Sequence, residues 1–271
     1  MESRSADVLK LARDFKHPRD ANIVFDEGPH TYTIDGVVAK LSVTGLIGMV
    51  ESEHFDAPAV AERLSTSARP SEKYSRLDPE TGRRVPLSAP EILGMWDAAR
   101  DLGTDLHSKI ERFLNDLPIV FPDGEAPNKK EFGQFLRWWE GQKALGFEAY
   151  RTEWVIYDDI NLAGSIDFLM RNKHSGELSI VDWKRCITGN AGFSSAWKGR
   201  RMLPPLDHME ETKLNHWKVQ VNVYRHILET RYDVKIRDMM MVVLYADQEE
   251  AVVYTHERDD SVEALILLNR K

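Results

Sequence analysis

The chain has 271 residues, 42% hydrophobic and 30% charged, with a formal net charge of −8. That length buries a core without staples, and its single cysteine, Cys186, excludes an internal disulfide and a four-cysteine zinc or iron–sulfur site within one chain. No run reaches the ~18 apolar residues of a membrane helix, the charged first 20 residues lack the apolar centre of a secretory signal, and the acidic balance argues against a basic nucleic-acid coat protein, so a soluble intracellular protein is expected.

In chain order, residues 23–34 read as a β-hairpin around Asp26-Glu27-Gly28-Pro29. A second turn at Asp35-Gly36 leads into 37–41, after which Ser42 or Thr44 caps a short helix. Residues 68–90 are rich in Pro, Ser and Arg without a period and read as a loop or insertion. Ser88, Pro90 and Glu91 then make a helix start, with Ser88 as N-cap and Glu91 three positions on. That helix runs through Trp96 and Leu106 to about residue 114. The spacing of Phe132, Phe135, Leu136 and Trp139 predicts a helix over 129–145, stopped by Gly146. Strands follow at 149–157, 162–170 and 178–183, the last two joined by a hairpin turn at 172–176. A long helix over 212–230 has Trp217, Val221, Tyr224 and Leu228 on its apolar face. Strands at 239–245 and 251–256 and a helix at 261–268 close the chain. The order predicts an α/β fold with a central mixed sheet flanked by helices.

Three segments carry candidate chemistry. In Ser179-Ile-Val-Asp182-Trp-Lys184, Asp182 and Lys184 are two apart on a strand and face one side, while Val181 and Trp183 face the other. In Leu162-Ala-Gly-Ser-Ile-Asp167, a second acid sits on a neighbouring strand. Paired strands bring Asp167 beside Asp182, and two close carboxylates are relieved by a shared proton or by a hard cation such as Mg²⁺ or Mn²⁺. A plain Asp167–Lys184 salt bridge is the alternative. On the first long helix, His107 and Glu111 share a face at i, i+4, His107 being either a further metal ligand or an ordinary helix histidine. Glu153 is a further candidate ligand or lysine partner, or an exposed acid. Gln220 and Tyr224 share a face of the 212–230 helix and suit a sugar–phosphate or base, or in the case of Tyr224 a core. The stretch holding Lys184, Arg185, Lys198, Arg200 and Arg201 carries no acid; it is either a solvated loop or a strip for phosphates, with Phe193 and Trp197 as stacking rings.

Taken in order, Gly103-x-x-x-His107-x-x-x-Glu111, Glu153, Gly164-Ser-Ile-Asp167, Val181-Asp-Trp-Lys184 and Gln220-x-x-x-Tyr224 resemble the RecB-like branch of the PD-(D/E)XK nucleases, the group that also holds lambda exonuclease. The resemblance implies a restriction-endonuclease-like core over 89–271 after an N-terminal accessory module over 1–88. It implies metal ligation by His107, Asp167, Asp182 and the main-chain carbonyl of Trp183, with one or two Mg²⁺ or Mn²⁺ ions. Lys184 would orient the attacking water, and Gln220 and Tyr224 would organise the site; Glu111 is a further candidate. The cysteines that clamp an iron–sulfur cluster in several relatives are missing, so no such cluster is expected. The phosphate-binding Gly-x-x-x-x-Gly-Lys-Ser/Thr loop of a helicase motor is missing too, so a stand-alone nuclease module is expected. DNA, single-stranded or with a free end, is the expected partner of an exonuclease. A structure- or sequence-selective endonuclease and an inactive DNA-binding scaffold are the alternatives.

Overall fold

The computed structural model describes residues 9–122, 126–159, 161–186, 193 and 199–269. The chain forms two compact units, Glu53–Asp105 and the remainder, Met1–Ser52 with Leu106–Lys271. Among the described residues no helix is long and apolar enough to cross a membrane.

The smaller unit holds helix α3 (Ala57–Ser65), hairpin β5 (Ser75–Leu77) and β6 (Arg84–Pro86), and the first part of helix α4 (Ala89–Leu114). The hairpin lies where a loop was expected. Its strands have three residues each and no buried face, so no apolar alternation announces them. Turn chemistry holds it instead: Asp78 Oδ1 accepts from the Glu80 and Thr81 amides, and Gly82 takes a left-handed φ of 65°. At the start of α4 the capping box forms as expected, Ser88 Oγ accepting from the Glu91 amide and Glu91 Oε2 from the Ser88 amide.

The larger unit is built on a six-stranded mixed sheet. Strands β7 (Phe147–Tyr157), β8 (Leu162–Asn172) and β9 (Leu178–Cys186) form an antiparallel meander. Strand β10 (Ile236–Tyr245) runs parallel to β9, which requires a crossover, and helix α6 (Lys213–Arg231) supplies it. Strand β11 (Val252–His256) closes one edge antiparallel to β10. The N-terminal segment joins the same sheet. After a small three-stranded sheet, β1 (Ile23–Asp26), β2 (Thr31–Ile34) and β3 (Val37–Val38), the short β4 (Leu41–Ser42) pairs in parallel with the start of β8.

Alternation along the strands feeds two cores. Leu178 and Ile180 of β9 point to a layer made by helices α2 (Val43–Gly48), α6 and α7 (Ser261–Leu268), through Leu46, Val223, Ile227 and Leu265. Val181 and Trp183 point to the opposite layer, made by Leu106 and Ile110 of α4 and Phe132, Phe135 and Trp139 of α5 (Lys129–Ala144). This sheet between two helical layers is the architecture expected from the element order.

The edge of β8 away from β7 is shared by two partners. Strand β9 pairs with Phe168–Arg171, and β4 with Leu162 and Ala163. Between them, among the described residues, 164–167 have no strand partner on that edge, and β9 beyond Val181 pairs with β10. The fork so formed is where the candidate residues collect.

At the other end of the sheet, His256 is buried and its Nε2 has no hydrogen-bond partner among the described residues. Burial, with help from the Lys218 charge, pushes its pKa down from 6.5 to about 4. The unfolded chain therefore binds the extra proton first as pH falls. Stability is predicted to drop between pH 6.5 and 4, by up to about 3 kcal/mol. Urea unfolding against pH checks this: His256→Leu is expected to flatten that slope.

Candidate metal centre

Trp183 anchors the site from both of its parts. Its indole is buried against Phe168, Phe135 and Trp138, with ring centroids 5.3–5.7 Å apart. Its main chain faces the fork. The Trp183 amide donates to Asp167 Oδ2 at 2.9 Å, replacing the ladder bond that β8 and β9 lose as they diverge. The Trp183 carbonyl lies 3.1 Å from His107 Nε2. A carbonyl only accepts, so this contact fixes Nε2 as the protonated nitrogen. The other ring nitrogen, Nδ1, faces Asp167 Oδ2 at 3.6 Å and Glu153 Oε1 at 3.9 Å.

His107, Glu153 and Asp167 thus offer three ligand atoms that lie within 4.8 Å of one another, all partly buried. An imidazole nitrogen and two carboxylate oxygens turned on each other repel unless a proton or cation lies between them. The donor chemistry, two hard oxygens and a nitrogen beside a main-chain carbonyl, fits a divalent cation such as Mn²⁺ or Mg²⁺. Glu153, one of the weaker sequence candidates, completes this set. It does so from the left-handed region, at φ 43° inside β7, a conformation that costs a non-glycine residue about 1 kcal/mol or more. Ser165 Oγ donates to its Oε2 at 3.3 Å.

Asp182 and Lys184 share a face of β9, as their spacing predicts, and Lys184 Nζ lies 2.6 Å from Asp182 Oδ2. Burial pushes the Asp182 carboxyl up to about 6 against the pull of Lys184, and Asp167 adds to the rise. For Lys184, burial acts downward, but Asp182 and Asp167 outweigh it and hold the amine above its ordinary value.

Gly164 explains itself by what stands over it. A β-carbon there would lie 2.7 Å from Tyr224 Cε1 and 2.9 Å from Val43 Cγ2. Only glycine admits the Tyr224 ring to the strand. Tyr224 is buried, its hydroxyl accepts from Gln220 Nε2 at 3.2 Å, and burial holds its phenol well above the usual range.

Other expected residues lie elsewhere. Glu111 is buried one turn along α4 and is not one of the three clustered ligands. Arg185 follows Lys184 on a strand, so alternation sends it to the opposite face. There it pairs with Glu131 at 2.8 Å and donates to Asn128 Oδ1, which removes it from the substrate strip. Arg201 spends its guanidinium on the Asp207 and His208 carbonyls of its own loop. Arg200 is half-buried beside it, its carbonyl accepting from the Glu211 amide. Lys198 and Trp197 lie outside the described residues. Phe193 packs with Met241 and Val243 rather than standing open as a stacking ring.

Sequence reasoning missed two residues at the site. Ser165 was legible as part of Gly164-Ser-Ile-Asp167. Tyr32, from the N-terminal sheet, had no local signal. Burial, with the nearby Glu153 charge, pushes its phenol up to about 12.

No protein family matches this chain, and no curated protein does. Among solved structures it is similar to SSO0001, with a TM-score of 0.35 and 15% identity over 84% of this chain and 75% of that one. It is also similar to a "Putative exonuclease" from Eubacterium rectale, with a TM-score of 0.38 and 14% identity over 66% of this chain and 68% of that one. At these scores neither likeness carries an assignment.

Two predictions follow from this geometry. Thermal melting in Mn²⁺ at about a hundredfold above its Kd is expected to raise Tm by roughly 5 °C or more, reversibly with EDTA. Asp167→Asn is expected to lose that rise. Gly164→Ala is expected to cost about 1–3 kcal/mol in urea unfolding, because the Tyr224 ring must move.

Proposed function

We propose that the protein is a divalent-cation-dependent DNA nuclease that hydrolyses phosphodiester bonds, acting as an exonuclease on single-stranded or end-exposed DNA. The observation that carries this reading is the convergence of His107, Glu153 and Asp167 within 4.8 Å, with the Asp182–Lys184 pair on the adjoining strand. The ordered motifs that resemble RecB-like nucleases, at residues 103–111, 153, 164–167, 181–184 and 220–224, support it from the sequence.

His107, Glu153 and Asp167 would hold a Mg²⁺ or Mn²⁺ ion; Asp182, expected as a further ligand, is not one of the three clustered residues. Such an ion supplies Lewis acidity toward a phosphate oxygen and lowers the pKa of water. The protein's own groups then define the rest. Lys184 is a charged donor on a rigid strand, held by Asp182, and it is preorganised to hydrogen-bond the attacking water or a phosphate oxygen as charge develops there. Gln220 and Tyr224 fix the wall opposite β8, where Gln220 keeps donor and acceptor capacity for the strand.

Purified protein with end-labelled linear DNA and with closed circular DNA, in Mg²⁺ or Mn²⁺, tests the proposal. Linear DNA is expected to be degraded and closed circles spared, with EDTA abolishing activity. Cutting of both at similar rates would favour an endonuclease instead. Asp182→Ala and Lys184→Ala are each expected to lower the rate by about 100-fold or more; activity surviving in both would place the chemistry elsewhere.

A further inference from the structure

Helix α6 turns more toward the fork than Gln220 and Tyr224. One turn before Gln220, at i−3, stands Trp217, on the same face. Along this face exposure grows outward: Tyr224 is buried, Gln220 and Trp217 are half-buried, and Lys213 is exposed. The Trp217 ring lies beside the lysine of the site, with Lys184 Nζ 5.6 Å from its centroid. Phe193 packs edge-on against it, ring centroids 5.1 Å apart at 67°, within a cluster that includes Leu214 and Val252. The ring is therefore fixed in place yet incompletely covered.

Lys184 already has a partner without this ring, Asp182 Oδ2 lying 2.6 Å from its amine. A cation–π contact at 5.6 Å adds little to that. What a braced, half-covered indole beside a phosphate-handling amine does offer is a flat apolar face of nucleobase size. Base–aromatic stacking is tolerant of sequence, because every base has a π-face. Phe193, expected as such a ring, serves instead as the buttress that orients Trp217.

We propose that Trp217 forms a nucleobase-stacking subsite, taking the base of the nucleotide next to the scissile phosphate. This rests on the nuclease reading and sharpens it. A base must be unpaired to lie on the indole, so the subsite selects single-stranded or splayed DNA over intact duplex.

The test uses the full chain, Mn²⁺ and end-labelled single-stranded oligonucleotides, each carrying one abasic nucleotide walked along the strand, with initial rates of first cleavage. For the unsubstituted protein, one abasic position is expected to raise KM about tenfold. Trp217→Ala is expected to raise KM on intact DNA by a similar factor, and the abasic nucleotide then adds nothing further. Trp217→Phe is expected to restore most of the affinity. Trp217→Leu, which keeps the apolar filling against Phe193, is expected to behave like the alanine variant. Melting curves for all three verify folding. An unchanged abasic penalty in Trp217→Leu overturns the subsite. So does a fall in kcat with a shifted pH profile and unchanged KM, because the ring would then serve Lys184. If the unsubstituted protein neither cleaves nor binds DNA, the nuclease reading itself fails; if it cleaves and the Trp217 variants match it, only the stacking subsite fails.

Discussion

The candidate site depends on one peptide unit, the main chain of Trp183. Its N–H reaches across to the Asp167 carboxylate and its C=O to His107 Nε2. One residue thereby ties α4, β8 and β9 together where two strands part. Its indole, packed among Phe135, Trp138 and Phe168 on the opposite face, keeps that main chain from moving. Backbone groups left by a diverging ladder must find partners, and here they find catalytic candidates.

The fork places charge where the core would otherwise be closed. Asp182 is almost fully buried, with the Asp167 charge nearby and the Lys184 amine 2.6 Å away to offset it. Burying several acids together is costly without a cation. The two aromatic and aliphatic layers on either side of the sheet supply the stability that lets such an arrangement persist. Local strain collects at the same point: Glu153 adopts a left-handed conformation within a strand, held by Ser165.

Alternation on β9 divides labour between neighbours in sequence. Asp182 and Lys184 face the α6 side, Val181 and Trp183 fill the α5 side, and Arg185 follows them there to pair with Glu131. Lys184 and Arg185, adjacent in sequence, for this reason do not share a face. Helix α6 divides residues by depth instead: Tyr224 is seated over Gly164, and Gln220 and Trp217 lie progressively nearer the rim.

Local rules fixed what depends on near neighbours. The period of two gave the Asp182–Lys184 face, the period of 3.6 gave α5 and α6, Ser88 with Glu91 marked the start of α4, and the α/β order of elements followed. Local pattern could not reveal the β5–β6 hairpin, whose strands bury nothing and rest on the Asp78 turn. Nor could it set Glu153 rather than Glu111 beside His107 and Asp167, bring Tyr32 from the N-terminal sheet near Glu153, or pair Arg185 with Glu131. Apart from the hairpin, those outcomes rest on where β8 leaves β9 and which distant residues then meet, as His107 meets Trp183 across 76 positions of chain. Distances of that kind are set by the packing of whole layers, and no short stretch of sequence encodes them.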